Sequence, residues 1–474
     1  MSSWITTLFD LSIIVLLLVG ISQFRTPRGA RLGNTTAATA LLLAILLVLY
    51  RNHILDPALL ALALLVGSSI GALIALRATM IQIPAMVAFQ HGAGGVAACT
   101  ISLVELTRGG ASTNIVEEVS GFLGLVIGAA TFSGSMVASG KLAAKLRQTP
   151  SMLPGHNWIL LFLLTAIAGF CVFGFTAAGF ALWVTLGCAL GASILLGLVF
   201  AMRIGGADMP VLISFLNATA GLAAAFCGIV IQNRLLIACG ATVAASGSIL
   251  TAAMCKAMNR SLIKVLASGK SLARAGTDAT AVVAAAPAKR VERTYAEALV
   301  AAKEVLRQAK SVIIIPGYGM ALARAQFQVA ALATRLEQLG KSATFAIHPV
   351  AGRMPGHMHV LLAEADVEYE KLRDMEDVNS VFEQTDVVIV VGACDVVNPA
   401  AVKMPDTPIS GMPILNAHKA RHVLVCNLDG RPGYSGVPNP LYDEPATLLL
   451  FGDANVTVTD LLQNLESAPE MPAK

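Results

Sequence analysis

Long apolar runs fill the chain from its start to about residue 256 and constrain it more than any other feature. A helix needs about 20 mostly apolar residues to cross the hydrocarbon core of a membrane. The sequence therefore predicts nine membrane spans, at residues 5–22, 34–50, 57–76, 84–106, 115–139, 157–175, 179–201, 209–231 and 234–256. No Lys or Arg precedes the first run and no small-residue cleavage site follows it, so we interpret it as a retained span.

Composition separates the chain into two parts that need different solvents. Of the 474 residues, 56% are hydrophobic and only 13% are charged, which is outside the range of a single soluble core. Charged residues are sparse up to about residue 255 and frequent from about residue 288. The net charge of +4, with no basic block interleaved with aromatic residues, argues against nucleic-acid binding. The eight cysteines form no CxxC pair, so we expect free thiols and no metal site.

Basic residues in the short loops predict the orientation, because Lys and Arg are in excess on the cytoplasmic side of a membrane. One side carries Arg25, Arg28, Arg31, Arg77, Lys141, Lys145, Arg147, Arg203, Lys256, Arg260 and Lys264. The other side carries only Arg51, Arg108 and Arg234. We therefore expect a cytoplasmic C-terminal part and, since nine is an odd number of spans, a periplasmic N-terminus.

Two polar side chains lie inside the predicted spans, where such residues are costly and often functional. His91 is about seven residues into the fourth span, and Asn217 is about eight residues into the eighth, which enters from the same side. Histidine exchanges a proton near neutral pH, so the two could share a water-filled path. The alternatives are a neutral histidine bonded to a backbone carbonyl and an asparagine that only joins two helices. Near the span ends, solvated helix termini are an equally good interpretation of the carboxylates Asp10, Glu105, Glu117, Glu118 and Asp208.

The sequence predicts a polytopic α-helical membrane domain over residues 1–262, a linker over 263–290 and a soluble α/β domain over 291–474. The linker is rich in small residues and has no amphipathic period. After a charged helix at 292–309, short apolar runs alternate with loops and helices, which indicates a Rossmann-like parallel sheet. We predict strands at 311–315, 343–347, 386–391, 422–426 and 447–451, and a helix at 320–339.

Four glycine-rich loops follow the predicted strands, and ligands of such sheets bind beyond the carboxyl ends of the strands. The first loop contains Gly317 and Gly319, which would let the backbone approach a pyrophosphate at the start of a helix, although Leu322 occupies the third small position. After the second strand an NAD-binding fold usually has a carboxylate, and this chain has none; Arg353 could pair with a phosphate instead. The other two loops begin at Gly392 and Asn427. Together the four loops predict a ligand site.

Several segments resemble the beta subunit of proton-translocating NAD(P) transhydrogenases. They are PGYGMA at 316–321, HPVAGRMPGH at 348–357, GACDVVNPAA at 392–401, GYSGV at 433–437, GGADMP at 205–210 and MCKAMNRS at 254–261. The resemblance implies a Re/Si-specific enzyme that is active only with an alpha subunit. NADP(H) would bind to this chain, NAD(H) would bind to the alpha subunit, and hydride transfer would be coupled to proton movement into the cytoplasm. It also implies a homodimer in the lipid of a bacterial inner membrane.

The resemblance implies roles for individual residues. His91, Asn217 and Asp208 match the proton path of the family, and Asp395 matches an acidic residue near the nucleotide. The predicted nucleotide-binding residues are Gly317, Tyr318, Gly319, Met320, Val350, Ala351, Gly352, Arg353, Gly392, Ala393, Asp395, Asn398, Asn427, Asp429, Arg431, Gly433, Tyr434, Gly452, Asp453 and Ala454.

One stretch departs from the family pattern. The family commonly has a Lys-Arg-Ser run that holds the 2′-phosphate of NADP, whereas this chain has Asn427, Leu428 and Asp429, with Arg431 nearby. Either Arg431 replaces the usual cations or selectivity for NADP is weakened. A rival hypothesis for the whole chain is a membrane transporter gated by a dinucleotide-sensing domain, because no second nucleotide site is evident.

Overall fold

The computed structural model describes residues 3–23, 27–52, 57–79, 81–108, 114–147, 151–205, 208–259, 261–267, 294–354, 356–405, 407 and 409–466. These residues fall into two compact units. The first comprises Met1–Ala143, Pro154–Ala201 and Ile213–Ile249, and the second comprises Ala144–Leu153, Met202–Leu212 and Leu250–Lys474. Most of the predicted linker, from residue 268 to residue 290, lies outside the described residues.

The described part of the chain contains nine helices that are long and apolar enough to cross a membrane, as the sequence predicts. They are α1 (Ser3–Ser22), α2 (Pro27–Asn52), α3 (Pro57–Arg77), α4 (Ile83–Thr107), α5 (Ile115–Leu142), α6 (His156–Gly174), α7 (Phe180–Met202), α8 (Met209–Val230) and α9 (Arg234–Ala257). Inside lipid every backbone polar group must be satisfied within the segment, and a helix does this. A short helix, α10 (Leu262–Ala267), follows.

Small residues bring neighbouring helices of the first unit into backbone contact. A Cβ atom on Gly95 of α4 would lie 2.7 Å from the carbonyl oxygen of Gly128 of α5, and one on Gly128 would lie 2.6 Å from that of Gly95. Helices α8 and α9 meet in the same way, since a Cβ atom on Gly221 would lie 2.5 Å from the backbone nitrogen of Ala244. Close van der Waals contact of this kind is what holds helices together in lipid.

A buried ion pair joins α1 to α2, so Asp10 is not the solvated terminus that its sequence position allowed. The Arg51 Nη1 atom lies 2.9 Å from Asp10 Oδ1, and Arg51 Nη2 donates to the Thr6 carbonyl oxygen at 2.8 Å. The Asp10 side chain is only 8% exposed. A carboxylate in such surroundings is tolerated because its partner neutralises it.

We predict that Arg51→Met destabilises the membrane domain by about 3 kcal/mol, because it leaves the buried carboxyl group of Asp10 without its partner. The double variant Asp10→Asn/Arg51→Met removes both charges and is expected to recover most of that loss. Thermal unfolding of the purified chain in detergent, monitored by tryptophan fluorescence, measures both effects. A double variant no more stable than Arg51→Met would contradict the assigned role of the pair.

The second unit contains a six-stranded parallel sheet, which confirms the predicted α/β class. Its strands are β1 (Ser311–Pro316), β2 (Ser342–Ile347), β3 (Leu372–Asp374), β4 (Val387–Val391), β5 (His422–Cys426) and β6 (Thr447–Leu449), in the order β3-β2-β1-β4-β5-β6. Its helices are α11 (Tyr295–Gln308), α12 (Tyr318–Leu322), α13 (Gln326–Gln338), α14 (His357–Glu364), α15 (Met375–Val378), α16 (Ala400–Lys403) and α17 (Ala454–Glu466). The strand order reverses direction between β1 and β4, and this switch point is where such sheets bind ligands.

The structure corrects the sequence prediction at two places in the sheet domain. Strand β3 was not predicted, because its three residues contain no apolar run and it pairs only at the sheet edge, with Phe345 opposite Leu372. The single helix predicted at 320–339 is also wrong, because the chain forms two helices there. A turn at 323–325 separates α12 from α13. Arg324 adopts a left-handed conformation (φ 51°), Arg324 N donates to Ala321 O and Ala325 N donates to Met320 O. This is a Schellman ending, and the sequence conceals it because glycine is the usual residue at that position.

Candidate functional site

The loops after β1 and β4 are in backbone contact at the switch point of the sheet. Gly317 N donates to the Val391 carbonyl oxygen and Gly319 N donates to the Gly392 carbonyl oxygen, both at 2.8 Å. Gly392 has a φ of 68°, and a Cβ atom there would lie 2.1 Å from Met320 N. Only glycine allows the two loops to approach this closely.

A pocket of about 340 Å³ opens at the carboxyl ends of the strands, where all four glycine-rich loops contribute to its wall. Its lining residues are Met258, Gly317, Tyr318, Gly319, Leu322, Val350, Ala351, Gly352, Gly392, Ala393, Cys394, Asp395, Val396, Ile409, Met412, Asn427, Leu428, Asp429, Pro432, Gly433 and Tyr434. Most of this surface is backbone, glycine or apolar side chain. Such a wall suits a flat, extended ligand with polar groups at a few fixed points.

A buried arginine lies between two tyrosines at the edge of the pocket. The Arg353 Cζ atom is 4.3 Å from the ring centroid of Tyr318 and 4.3 Å from that of Tyr434. Arg353 Nη2 also donates to Tyr434 Oη. Arg353 is 2% exposed whereas Tyr434 is 46% exposed, so the second tyrosine covers the guanidinium from the solvent side. Stacking and hydrogen bonding together fix the loop after β2 against the loop after β5.

Asp395 attaches the loop after β4 to the loop after β5. Its Oδ1 atom accepts a hydrogen bond from Ser435 Oγ at 2.6 Å, and its Oδ2 atom accepts one from Ser435 N at 3.0 Å. Gly433 is needed beside it, because a Cβ atom there would lie 2.9 Å from the Asp395 carboxylate. Burial raises the pKa of Asp395, and the hydrogen bonds from Ser435 and from the Tyr434 backbone oppose that rise.

Two asparagine side chains also join the loop after β4 to the segment that follows β5. Asn427 Nδ2 donates to the Ala393 carbonyl oxygen at 2.8 Å and to Tyr442 Oη at 2.8 Å. Asn398 is fully buried, and its amide nitrogen donates to the Pro438 carbonyl oxygen at 3.2 Å. Asn398 therefore supports the site and does not line it.

Two buried histidines, both in the neutral form, hold the loop after β2 in place. His348 Nε2 lies 2.9 Å from the Pro413 carbonyl oxygen, and His348 Nδ1 accepts from Val350 N at 3.2 Å. His357 Nδ1 accepts from Arg353 N at 3.1 Å. Burial lowers the pKa of His348 to about 4, although the bond to Pro413 acts in the opposite direction. Burial and then the charge of Arg353 lower the pKa of His357 to about 4.

We predict that acid loosens this loop. A histidine whose folded pKa lies below its unfolded value of about 6.5 stabilises the fold above that pH and loses this contribution as the pH falls towards 4. For His348 alone the loss reaches about 3 kcal/mol at the acid end. Hydrogen exchange of the Val350 and Arg353 amides, corrected for intrinsic rates, should show less protection at pH 5 than at pH 7. In His348→Asn the Val350 amide should lose this pH dependence, and a pH dependence that persists there would contradict the assignment.

The structure brings together thirteen of the predicted nucleotide-binding residues, as members of the lining given above. The others lie elsewhere. Met320 is buried beneath the first loop, and the Arg431 side chain is 87% exposed. Gly452, Asp453 and Ala454 form the start of α17, where Gly452 N donates to the Asn427 carbonyl oxygen and Asp453 Oδ1 accepts from Asn455 N. Gly452 therefore stabilises the start of the loop after β5, and Asp453 caps α17.

Sequence reasoning missed apolar residues of the lining, notably Met258, Ile409 and Met412. Ile409 and Met412 belong to a segment that has no glycine-rich motif and follows no predicted strand. The sequence therefore did not indicate that this segment lines a ligand site. Their only sequence signal was an apolar side chain in a stretch otherwise typical of a loop. Met258 follows the last membrane helix and has no sequence feature that connects it to the sheet.

The predicted proton-path residues lie on separate elements. His91 is half-buried on α4, and its Nδ1 atom is buried with no hydrogen-bond partner among the described residues. Asn217 is half-buried on α8, and Asp208, which belongs to the second unit, is buried just before that helix.

Helix α5 lies beside both membrane helices that carry these residues. A Cβ atom on Gly92 of α4 would lie 3.1 Å from the Ser135 Cβ atom of α5. Farther along the same helix, Thr131 Oγ1 donates to Thr219 Oγ1 of α8 at 2.9 Å. Polar groups of α5 therefore stand next to the turns that hold His91 and Asn217.

Comparison with known proteins gives one family over nearly the whole chain. Residues 6–464 match the family model of the NAD(P) transhydrogenase beta subunit. Two proteins of Rhodospirillum rubrum named NAD(P) transhydrogenase subunit beta are each 39% identical over 459 residues, which cover 95% of this chain and 96% of each relative. The chain therefore belongs to the NAD(P) transhydrogenase beta subunit family.

Proposed function

We propose that this chain is the beta subunit of a proton-translocating, Re/Si-specific NAD(P) transhydrogenase. Hydride passes between NAD(H) on a separate alpha subunit and NADP(H) held in the pocket of this chain. The membrane domain couples that transfer to proton movement into the cytoplasm. The protomers form a homodimer in a bacterial inner membrane, with the N-terminus periplasmic and the sheet domain cytoplasmic.

The pocket at the switch point is the observation that carries this proposal. Its wall is formed by Gly317, Gly319 and Gly392, where the backbones are too close for any side chain to intervene. The backbone of these loops can then come close to a pyrophosphate without an intervening side chain, which is what a dinucleotide requires. The close backbone approach at these glycines therefore fits the pyrophosphate of a dinucleotide.

The residues around the pocket are suited to positioning. A nicotinamide nucleotide supplies the hydride chemistry when bound, so the protein has no need of a nucleophile or a strong base there. Tyr434, which stacks on Arg353, covers one side of the pocket, and Asp395 holds the covering loop through Ser435. These residues orient a ring and exclude water from the site of hydride transfer.

Coupling must act through nucleotide affinity, because hydride transfer between two similar nicotinamides has little driving force of its own. A proton taken up at His91 would change the hydration and packing around Asn217 and Asp208. That change would shift the equilibrium between states that bind the nucleotide tightly and loosely, and by linkage a bound nucleotide would shift the proton equilibrium of His91 equally.

Contacts within the second unit support such a route. Asn259 follows the last membrane helix, and its Nδ2 atom donates to the Gly411 carbonyl oxygen at 2.7 Å. The preceding residue, Met258, lines the nucleotide pocket. The same short segment packs through Met254 and Met258 against Val211, close in sequence to Asp208, and Val350 of the loop after β2 packs against this cluster.

The test is reconstitution of this chain with the alpha subunit in sealed vesicles, followed by assays of hydride transfer and proton movement. We expect NADH to reduce a spectrally distinct NADP⁺ analogue only when both subunits are present, with proton movement that starts and stops with hydride transfer. Proton movement that responds to nucleotide without any hydride transfer would favour the rival gated transporter.

A further inference from the structure

The pocket that we assign to a dinucleotide is lined by carboxylates and by no cation among the described residues. Asp395 and Asp429 both belong to its wall, whereas no Lys or Arg side chain of the described chain does. A phosphate dianion needs charge-assisted hydrogen bonds from Lys or Arg, and a carboxylate at the same place repels it. The lining therefore offers a ribose 2′-phosphate no cation and does not favour NADP(H) over NAD(H).

The two nearest arginines have other partners. Arg353 is 2% exposed and lies between the rings of Tyr318 and Tyr434, 4.3 Å from each centroid. Arg431 extends into solvent with its side chain 87% exposed, and its Nε atom is 3.5 Å from Asp429 Oδ2. Its backbone nitrogen donates to Asp429 Oδ1 at 2.9 Å. The charge of Arg431 is thus offset by the aspartate that would otherwise act against a phosphate.

The two carboxylates of the wall differ in what they can still accept. Both oxygens of Asp395 already accept hydrogen bonds from Ser435, at 2.6 and 3.0 Å. The Asp429 side chain is 46% exposed, and its polar contacts among the described residues are both with Arg431. A carboxylate has about four acceptor sites; Asp395 uses three of them, because the Tyr434 backbone also donates to it, whereas Asp429 uses two and so retains more capacity to accept from a ligand hydroxyl.

We infer that Asp429 sets the nucleotide specificity of this pocket by accepting a hydrogen bond from a free ribose 2′-hydroxyl. The same carboxylate repels a 2′-phosphate, so the pocket binds NAD(H) at least as tightly as NADP(H). An acidic side chain on the ribose hydroxyl is the usual basis of NAD specificity, and an arginine accommodates the phosphate of NADP. The inference rests on the proposed function, because it concerns the nucleotide in the same pocket.

The test is equilibrium binding of NADH and NADPH to the full chain in lipid nanodiscs, without the alpha subunit. We expect NADH to bind as tightly as NADPH or more tightly. Asp429→Asn keeps the acceptor for the Arg431 backbone and removes the charge, so it should strengthen NADPH binding relative to NADH by about tenfold. The matched control Asp366→Asn removes one charge from an exposed turn outside the pocket wall and should leave the ratio unchanged.

Three outcomes would count against these assignments, and they can be told apart. Binding of NADPH about tenfold or more tighter than NADH in the unmodified chain would overturn the inference and leave the proposed function in place. Selective loss of NADPH binding in Arg431→Ala would also overturn it, since Arg431 would then hold the phosphate. Failure of both nucleotides to bind to the folded chain would count against the proposed function itself.

Discussion

Replacement of Gly392 by alanine is expected to abolish nucleotide binding while leaving the nine membrane helices folded. The added methyl group would lie 2.1 Å from Met320 N and 2.4 Å from the Gly319 carbonyl carbon. Both are backbone atoms that cannot rotate away, so the loops after β1 and β4 must separate. The left-handed conformation at φ 68° adds about 1 kcal/mol of strain to an overlap that costs several more. We expect nucleotide affinity to fall by about 100-fold or more.

A matched control separates backbone strain from steric overlap. Gly340 has a φ of 74°, similar to that of Gly392, but a Cβ atom there would meet nothing within 4 Å. Gly340→Ala should therefore cost only about 1 kcal/mol of stability and leave the affinity unchanged. Binding titrations, with hydrogen exchange of β1 and β4 as a check on folding, measure both variants. A Gly392→Ala chain with the affinity of the parent would show that close approach of the two loops is not needed.

Replacement of His91 by asparagine is expected to reduce proton-coupled turnover by about 100-fold or more, because it removes the one titratable side chain assigned to the centre of the proton path. Asparagine keeps hydrogen-bonding groups on α4 but cannot take up a proton near neutral pH. Nucleotide binding to the sheet domain should persist, since His91 lies in the first unit and does not line the pocket. Turnover and binding are measured on the same vesicle-reconstituted preparations.

The control for this variant is His422→Gln, which changes an exposed histidine at the start of β5. It should alter neither turnover nor binding. Proton-coupled turnover that survives His91→Asn in a correctly assembled complex would exclude the proposed role of this histidine. The alternative of a neutral histidine with a structural role would then be favoured.

Features that depend on local sequence could be predicted well. Nine apolar stretches predict nine helices because lipid leaves the backbone no other way to satisfy its polar groups. Five strands of the sheet were predicted because buried parallel strands are continuous apolar runs. Strand β3 was missed because Leu372, Arg373 and Asp374 lie at the sheet edge, where pairing with β2 and not composition decides the structure.

Features that depend on tertiary partners could not be predicted. Asp10 and Arg51 are 41 positions apart in sequence, so only the packing of α1 on α2 makes them a pair. The sequence suggested that Arg353 could pair with a phosphate, and nothing local to its loop indicates that Tyr318 and Tyr434 enclose it. Around Asp429 and Arg431, the sequence shows only that the cations common in the family are missing. Which of the two side chains faces the pocket depends on how the loop after β5 folds.

The most direct test of proton coupling is the response of the hydride-transfer equilibrium to an imposed pH difference across sealed vesicles that contain this chain and its alpha subunit. If one proton crosses for each hydride, the equilibrium ratio of the four nucleotides should shift by about tenfold for each pH unit, in the direction that dissipates the gradient. The shift should vanish when the vesicles are made permeable to protons. An equilibrium ratio unaffected by the gradient, in vesicles that still transfer hydride, would contradict coupling between the membrane helices and the nucleotide pocket.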